Sequence, residues 1–419
     1  MNTTMTALAA AWSRADTSHV PYRVFTDPAL FELEQDRIFR GPTWNYVGLE
    51  AEVAAPGDYV SSSIGTTSVV VSRDSAGALH VLVNRCAHRG APVVREARGS
   101  GSLFKCLYHD WSYGLDGRLK GVPFRKGLNG FPGYDACVPL GDMGMRPLRT
   151  STLNGLVFAT FSDSVPPLEE YLGAAICHIT RVFDGRPLQV LGCLSQRVRA
   201  NWKLYFENTK DPYHASLLHH FHSTFGLYRS TMKGDVSATP TGVSVLVAHG
   251  GTDEDRKQVY ESGEISSYDR AHRLHAPQLL DAEWEHDDHI TTSIHTIFPS
   301  VVTQQIANTI ATRRVIPLGV DSFELRWTIL GYAGDDVQLR QRRLHQANLI
   351  GPSGYISLED SEVLEVLQRA ISDGNDDRAL VAMGGSAVEV DGPVDGLISE
   401  NAIRAFWQTW RDLMEDWTT

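Results

Sequence analysis

Alternation and helical spacing divide the chain into stretches of different character. Over residues 43–161, apolar and polar positions alternate in short runs separated by Gly and Pro, which is the pattern of half-buried strands. YVSSSIGTTSVVVSRD is rich in β-branched residues, and Ser75-Ala76-Gly77 makes a turn before the strand-like ALHVLV. Asp116-Gly117 stands between two short strand-like runs as a hairpin turn, and GLVFATFSD closes the stretch as a buried strand. The pattern predicts a small antiparallel β domain. After Pro166 the spacing changes: PPLEEYLGAAICHITRVF predicts one helix, and RVRANWKLYFENTKDPYHASLLHHF runs from a strand end into a second. Further on, HTIFPSVVTQQIANTIATRRVIPL and SFELRWTILGYA read as strands. Residues 252–288 read as a polar lid. Two helices, over residues 360–371 and 400–416, are expected to finish the chain.

Length and charge narrow the function classes. A chain of 419 residues is too long for one ordinary core and predicts two domains. A net charge of -12 argues against a nucleic-acid-binding face, though local basic patches could still dock an acidic partner. No apolar run is long enough to span a membrane. The start, MNTTMTALAAAWSRAD, lacks a basic region before its Ala-rich stretch and reads as an amphipathic helix or loose tail rather than a signal peptide. Five cysteines make no disulfide framework, so cytoplasmic residence is the simplest expectation. Cys137, Cys177 and Cys193 read as plain residues.

Cys86 and Cys106 do not. NRCAHRGAPVV and FKCLYHDWSY together spell C-x-H-x17-C-x2-H. A zinc finger pairs cysteine with cysteine and histidine with histidine. Here each short loop supplies one Cys and one His. That pairing suits a [2Fe–2S] cluster whose one iron takes Cys86 and Cys106 and whose other takes His88 and His109. Zinc is the second reading.

A second concentration of chemistry lies in NWKLYFENTKDPYHASLLHHFH. His214 and His219 are five positions apart, which on a regular helix turns them about 140° from each other. Both can face one metal only if the helix bends, bulges or ends between them. Asp211, three before His214, shares its face and could accept the second ring N–H of a metal-bound His. His220 and His222 are not read as ligands.

These strings resemble the α subunits of Rieske non-heme iron aromatic-ring-hydroxylating oxygenases. The second loop matches CxxHxWxYxxxG, except for Asp110, where the family often has Gly. ENxxDxYHxxxxH and GPSGYISLEDSE match the mononuclear-iron segments, which implies His214, His219 and Asp360 as iron ligands, with Glu359 and Glu362 as neighbouring candidates. RIFRGPTWNYVGLEAE, GVPFRKGL and QANLIGPSG look like the aromatic-carboxylate branch, the anthranilate, salicylate and terephthalate oxygenases. The resemblance implies an α+β fold, with an antiparallel β Rieske [2Fe–2S] domain inserted into a helix-grip (Bet v1/START-like) catalytic domain. The expected boundaries are an N-terminal helical segment at 1–43, the Rieske domain at 44–162 and the catalytic domain at 163–419. It also implies head-to-tail trimers, α3 or α3β3 with a small β subunit. Asp211 would then bridge His109 of one subunit to His214 of the next.

The expected activity is hydroxylation of an aromatic carboxylate with O2 at mononuclear Fe(II). No GxGxxG opens a helix, so electrons from NAD(P)H must come through a separate reductase, with or without a ferredoxin. Arg313 and Arg314 stand in the apolar run TIATRRVIPL, and alternation sends one into a pocket and the other outward. Arg313 matches the AxR setting of the terephthalate-type enzymes and is the expected carboxylate fork. The terephthalate branch has a second basic contact before its tail helix. DGPVDGLISENA offers none until Arg404, so a 2-substituted benzoate such as anthranilate, salicylate or a 2-halobenzoate is expected over terephthalate. Asn208 is expected to line the pocket or hold the 2-substituent. The competing non-enzymatic reading is an electron carrier that uses the cluster alone. His214, His219 and Asp360 argue against it.

Overall fold

The computed structural model describes residues 12–250, 275–280, 282–373 and 377–415. The chain divides into two compact units, one made of residues 1–41 and 166–419 and the other of Pro42–Val165. The β unit is thus inserted into the mixed unit, giving an α+β architecture. The lid reading falls mostly on residues 251–274 and 281, outside the described residues, as does the start of the chain. Among the described residues no helix is long and apolar enough to cross a membrane.

The inserted unit contains three antiparallel sheets. Asp58–Ile64, Thr67–Arg73, Leu79–Val83 and Arg98–Ser100 form the largest. The turn after Arg73 closes on Gly77 at φ +84, in the left-handed region open to glycine. The smallest sheet, Phe104–Lys105, Ser112–Tyr113 and Leu119–Gly121, contains the Asp116-Gly117 turn. Gly117 has φ +82, and a Cβ there would lie 2.8 Å from Leu82 Cδ2. Only glycine meets both conditions.

The mixed unit is built on one eight-stranded antiparallel sheet. The strands of that sheet and the helices after Leu188 run in chain order β1 (Leu188–Val198), α1 (Trp202–Asn208), α2 (His214–Leu218), α3 (His220–Phe225), β2 (Gly234–Ala238), β3 (Ser244–His249), β4 (Ile290–Ile297), β5 (Val301–Ile306), β6 (Thr309–Gly319), β7 (Ser322–Tyr332), α4 (Val337–Ile350), α5 (Tyr355–Ile371), β8 (Pro393–Asp395) and α6 (Asn401–Met414). The order across the sheet is β1-β7-β6-β5-β4-β3-β2-β8. Helix α5 buries Ile356, Asp360, Leu364, Gln368 and Ile371, a single stripe at helical spacing, and Asp360 is the acid inside that stripe.

Three helical expectations need correction. The predicted helix after Pro166 is two, Leu168–Leu172 and Ile176–Val182, because Gly173 adopts φ +54 between them. The helix through the histidines is α1, α2 and α3. Pro212 has no N–H and disfavours helical backbone at Asp211, so α1 cannot continue through it. Among the described residues three helices, not two, follow the last long strand, and α5 begins at Tyr355 rather than 360. The overlooked α4 buries Arg343 where an apolar residue would normally mark the inward face. Arg343 is neutralised by Asp335 at 2.7 Å and Glu285 at 2.6 Å.

An equally hidden ion pair fixes α1. Lys203 Nζ lies 2.6 Å from Glu34 Oε1, and both side chains are wholly buried. Glu34 also accepts N–H bonds from Trp202 and Trp410, each at 2.9 Å. One carboxylate therefore joins the helix Pro28–Glu34, α1 and α6. Glu34→Ala should cost about 3–5 kcal/mol, because it leaves a buried ammonium and two indole donors without their acceptor. The measurement is denaturant unfolding. Glu34→Leu with Lys203→Met should recover much of the loss; a single variant as stable as the parent would show that the pair fastens nothing.

Candidate metal centres and substrate cavity

The two Cys/His loops of the inserted unit share one backbone design. Cys86 C=O accepts from Gly90 N–H at 2.9 Å, and Cys86 N–H donates to Ala91 C=O at 2.8 Å. Cys106 C=O accepts from Asp110 N–H at 2.9 Å, and Cys106 N–H donates to Trp111 C=O at 2.8 Å. Each loop closes through a left-handed residue, Gly90 at φ +79 and Asp110 at φ +54. Asp is among the few side chains that tolerate that region, which explains how it stands where glycine is usual. Both cysteines are buried, His88 is half-buried and His109 is exposed. Trp111 stacks on His88 with ring centroids 4.9 Å apart. Tyr113 Oη lies 3.0 Å from Cys86 Sγ, and burial pushes its phenol up, so it stays neutral beside the sulfur. His88 Nδ1 is buried without a partner, as a nitrogen meant for a metal would be.

Among the described residues, the one set of three or more ligand-type side chains compact enough for a single ion is His214, His219 and Asp360. Their ligand atoms lie within 4.8 Å of one another. In the inserted unit the His88 and His109 rings stand edge to face with centroids 4.6 Å apart, and a set of two Cys and two His suits a [2Fe–2S] cluster.

The break between α2 and α3 solves the five-residue spacing. His219 leaves helical backbone at φ -86, ψ 76, so its imidazole turns back toward His214. His219 Nε2 lies 3.2 Å and His214 Nε2 3.5 Å from Asp360 Oδ1. Both outer nitrogens face carboxylates. His219 Nδ1 is 2.7 Å from Glu359 Oε2, and His214 Nδ1 is 3.5 Å from Asp211 Oδ2, beyond a good hydrogen bond. Asp211 Oδ1 instead accepts the N–H groups of Tyr213 and His214, at 3.1 and 3.2 Å, and so starts α2. Asn208 Nδ2 donates to Asp360 Oδ1 at 3.0 Å and lies 3.3 Å from His214 Nε2.

The electrostatics call for a cation. Burial works against charge on His214, but Asp211 and Asp360 outweigh it and hold the imidazole up to about 10. Burial likewise works to raise Asp360, yet the two imidazoles keep its carboxyl far below the usual carboxylate range. Two imidazoles and one carboxylate fit ferrous ion and leave coordination positions open beside a substrate.

These side chains open on a mainly apolar cavity of about 600 Å³ of atom-free space, counted out to its mouth. Leu246, Ile294, Ile306, Trp327, Ile350 and Ile356 line it. Arg313 enters from β6, opposite Val302 on β5 and Trp327 on β7. Its Nη1 donates to Tyr205 Oη at 3.1 Å, and its guanidinium sits 5.1 Å from the Trp327 ring centre. Its Nε and Nη2 are buried and unpartnered. Arg314 lies on the other face of the sheet and is itself buried rather than turned to solvent, correcting the outward expectation.

Sequence reasoning missed three contributors here. Glu359 was read as a rival ligand but reaches the outer nitrogen of His219. Trp327 Nε1 is buried and unpartnered in the cavity wall. His222 also lines the cavity with both ring nitrogens unpartnered, and burial beside His219 pushes it down to about 3, so it is neutral. Glu359 and His222 stand beside the ligand motifs, but only the fold shows what they reach; Trp327 has no such neighbour in the sequence.

Comparisons with known proteins identify two families along the chain. The Rieske [2Fe-2S] domain family matches residues 43–132, and the ring hydroxylating alpha subunit (catalytic domain) family matches residues 183–416. The chain is 45% identical to the large subunit of anthranilate 1,2-dioxygenase from Burkholderia cepacia, over 95% of this chain and 94% of that one. It is 42% identical to terephthalate 1,2-dioxygenase terminal oxygenase subunit alpha 2 from Comamonas sp., over 96% and 97%. It is 39% identical to the large oxygenase component of salicylate 5-hydroxylase from Ralstonia sp., over 96% of each. The crystal structure of naphthalene 1,2-dioxygenase from Rhodococcus sp. bound to indole has the same fold, with a TM-score of 0.77 over 96% of this chain and 95% of that one at 23% identity.

Glu359→Ala should weaken ferrous-ion binding about 10- to 100-fold, the usual loss when a carboxylate orienting a metal-bound His is removed. The check is iron lost to a chelator in titration, with the cluster absorbance unchanged. Retention equal to the parent would remove Glu359 from the metal centre.

Proposed function

The chain belongs to the ring-hydroxylating oxygenase α subunits, and we propose that it hydroxylates an aromatic monocarboxylate held by Arg313. One observation carries the proposal. Arg313 presents Nε and Nη2, the two-pronged edge of the guanidinium, buried and unpartnered in the cavity that also contains His214, His219 and Asp360. A carboxylate matches that edge with two parallel hydrogen bonds. Trp327 Nε1, on the residue paired with Arg313, is a further donor at the same corner.

Arg313 is the only Lys or Arg among the described cavity residues. Arg404, the nearest candidate for a second anchor in the sequence, spends its guanidinium on the carbonyls of Val381, Met383 and Ala387. A dicarboxylate such as terephthalate would leave one charge unmatched in an apolar wall. A 2-substituted benzoate is the better fit. Two relatives are named for such acids, anthranilate and salicylate.

In this reading Cys86, His88, Cys106 and His109 hold the cluster, and His214, His219 and Asp360 hold the mononuclear iron. Ferrous iron in that ligand set supplies dioxygen activation. Asn208 positions Asp360 through its amide, Glu359 orients His219, and Arg313 fixes the carboxylate end of the ring. A separate reductase, with or without a ferredoxin, supplies electrons. In an α3 or α3β3 assembly, Asp211 would join His109 of one copy to His214 of the next.

Reconstitution with a reductase and product analysis on anthranilate, salicylate, 2-halobenzoates and terephthalate tests the substrate class. Arg313→Met should weaken binding of the accepted acid about 10- to 100-fold, the cost of losing a charge-assisted pair, with iron content unchanged. Unchanged affinity would take Arg313 out of the pocket. Asp211→Asn should keep cluster and iron content near normal while nearly abolishing coupled turnover; turnover at the parent rate would end the bridging role.

A further inference from the structure

Gln304 is wholly buried in the middle of β5 and lines the same cavity. Neither its amide nitrogen nor its amide oxygen has a hydrogen-bond partner. The reason lies in the register. Its cross-strand neighbours are Ile294 on β4 and Ala311 on β6, which offer no polar side-chain atom. An amide left unsatisfied in such a setting is destabilising. Leu or Met would fill the same space without that cost. A buried glutamine kept unpaired in a ligand cavity is a polar group waiting for a polar ligand.

The register also locates it relative to the carboxylate anchor. Val302 faces Arg313 directly, and Gln304 is two residues along on the same face, so Gln304 and Arg313 are diagonal neighbours. Such pairs lie about 7 Å apart at the backbone, within reach of two long side chains converging on one aromatic ring. We infer that Gln304 reads a second, hydrogen-bonding substituent on the ring of the bound acid. This inference rests on the carboxylate reading of Arg313 and sharpens it. The amide carries both a donor and an acceptor, so an amino or a hydroxyl group satisfies it. A ring hydrogen or a halogen does not. The site thereby separates amino- and hydroxybenzoates from 2-halobenzoates, which Arg313 alone cannot do. Sites built to bond a substrate N–H or O–H reject the analogue that lacks it far more strongly than apolar pockets reject a missing methylene.

The test measures binding of anthranilate, salicylate, benzoate and 2-fluorobenzoate to the iron-loaded holoenzyme. Anthranilate or salicylate should bind the parent roughly 10- to 100-fold more tightly than the other two acids. Gln304→Leu and Gln304→Met should bring that ratio to within about threefold, by weakening the polar probe, with full iron content as the check on folding. Equal binding of all four acids by the parent, still lost in Arg313→Met, overturns the role of Gln304 and leaves the carboxylate reading intact. A preference that persists in either folded Gln304 variant overturns it too. The comparison on the parent chain stands even if neither variant folds. Failure of all four acids to bind the parent would overturn both readings together.

Discussion

The Glu34 carboxylate is the fixed point of the mixed unit. It is buried with Lys203 and bonded to two indoles, and its partners come from positions far apart in the chain. Such an ion pair adds little net stability over a well-packed apolar pair. Its contribution here is registration. Lys203 and Trp202 sit in the first turn of α1, and Asn208 ends that helix. Asp211 and His214 follow within two turns' length of chain. If α1 slid by one residue, Lys203 would lose Glu34, and Asn208 would lose Asp360 on α5. Asn201 reinforces the same placement by capping α1 and donating to Phe25 C=O and Val320 C=O, at 3.2 and 2.7 Å.

From that fixed start, orientation passes outward through carboxylates. Pro212 disfavours helical backbone at Asp211, whose side chain accepts the Tyr213 and His214 N–H groups at the start of α2 and stands beside His214 Nδ1. On α5, Glu359 and Asp360 are adjacent and so point about 100° apart. Asp360 faces the buried centre, and Glu359, less buried, reaches around to the far nitrogen of His219. Neighbouring acids that look interchangeable in the sequence therefore do different work. One meets the inner nitrogens of both histidines, the other the outer nitrogen of one.

This explains what was legible in the chain and what was not. The Cys/His loops were readable because ligand spacing within a tight loop is local: Cys86 and Cys106 each close their own turn through Gly90 and Asp110. The hairpin at Gly117 and the strand pattern of β4 through β7 were equally local. The histidine pair stated its own problem, since five residues demand a break, and Pro212 with the non-helical His219 supplied breaks on either side of α2. Helix α4 was hidden because a buried Arg343 with two acids from elsewhere replaces its apolar mark. Glu34 and Lys203 were hidden for the same reason. A charged residue reads as solvent-facing until its distant partner is known.

The unpaired groups of the cavity bring these points together. Arg313, Gln304, Trp327 and His222 each leave buried polar atoms without a partner. Burying polar groups away from partners disfavours the fold. A chain free to rearrange would collapse these side chains onto one another or turn them to water. They persist because the sheet register holds Arg313 and Gln304 on one face with apolar neighbours, and because α1 and α5 are pinned at Glu34 and Asp360. The rigidity of the framework and the unmet polarity of the cavity are therefore one property. A ligand that satisfies those atoms gains affinity from each of them, and its polar groups must mirror theirs.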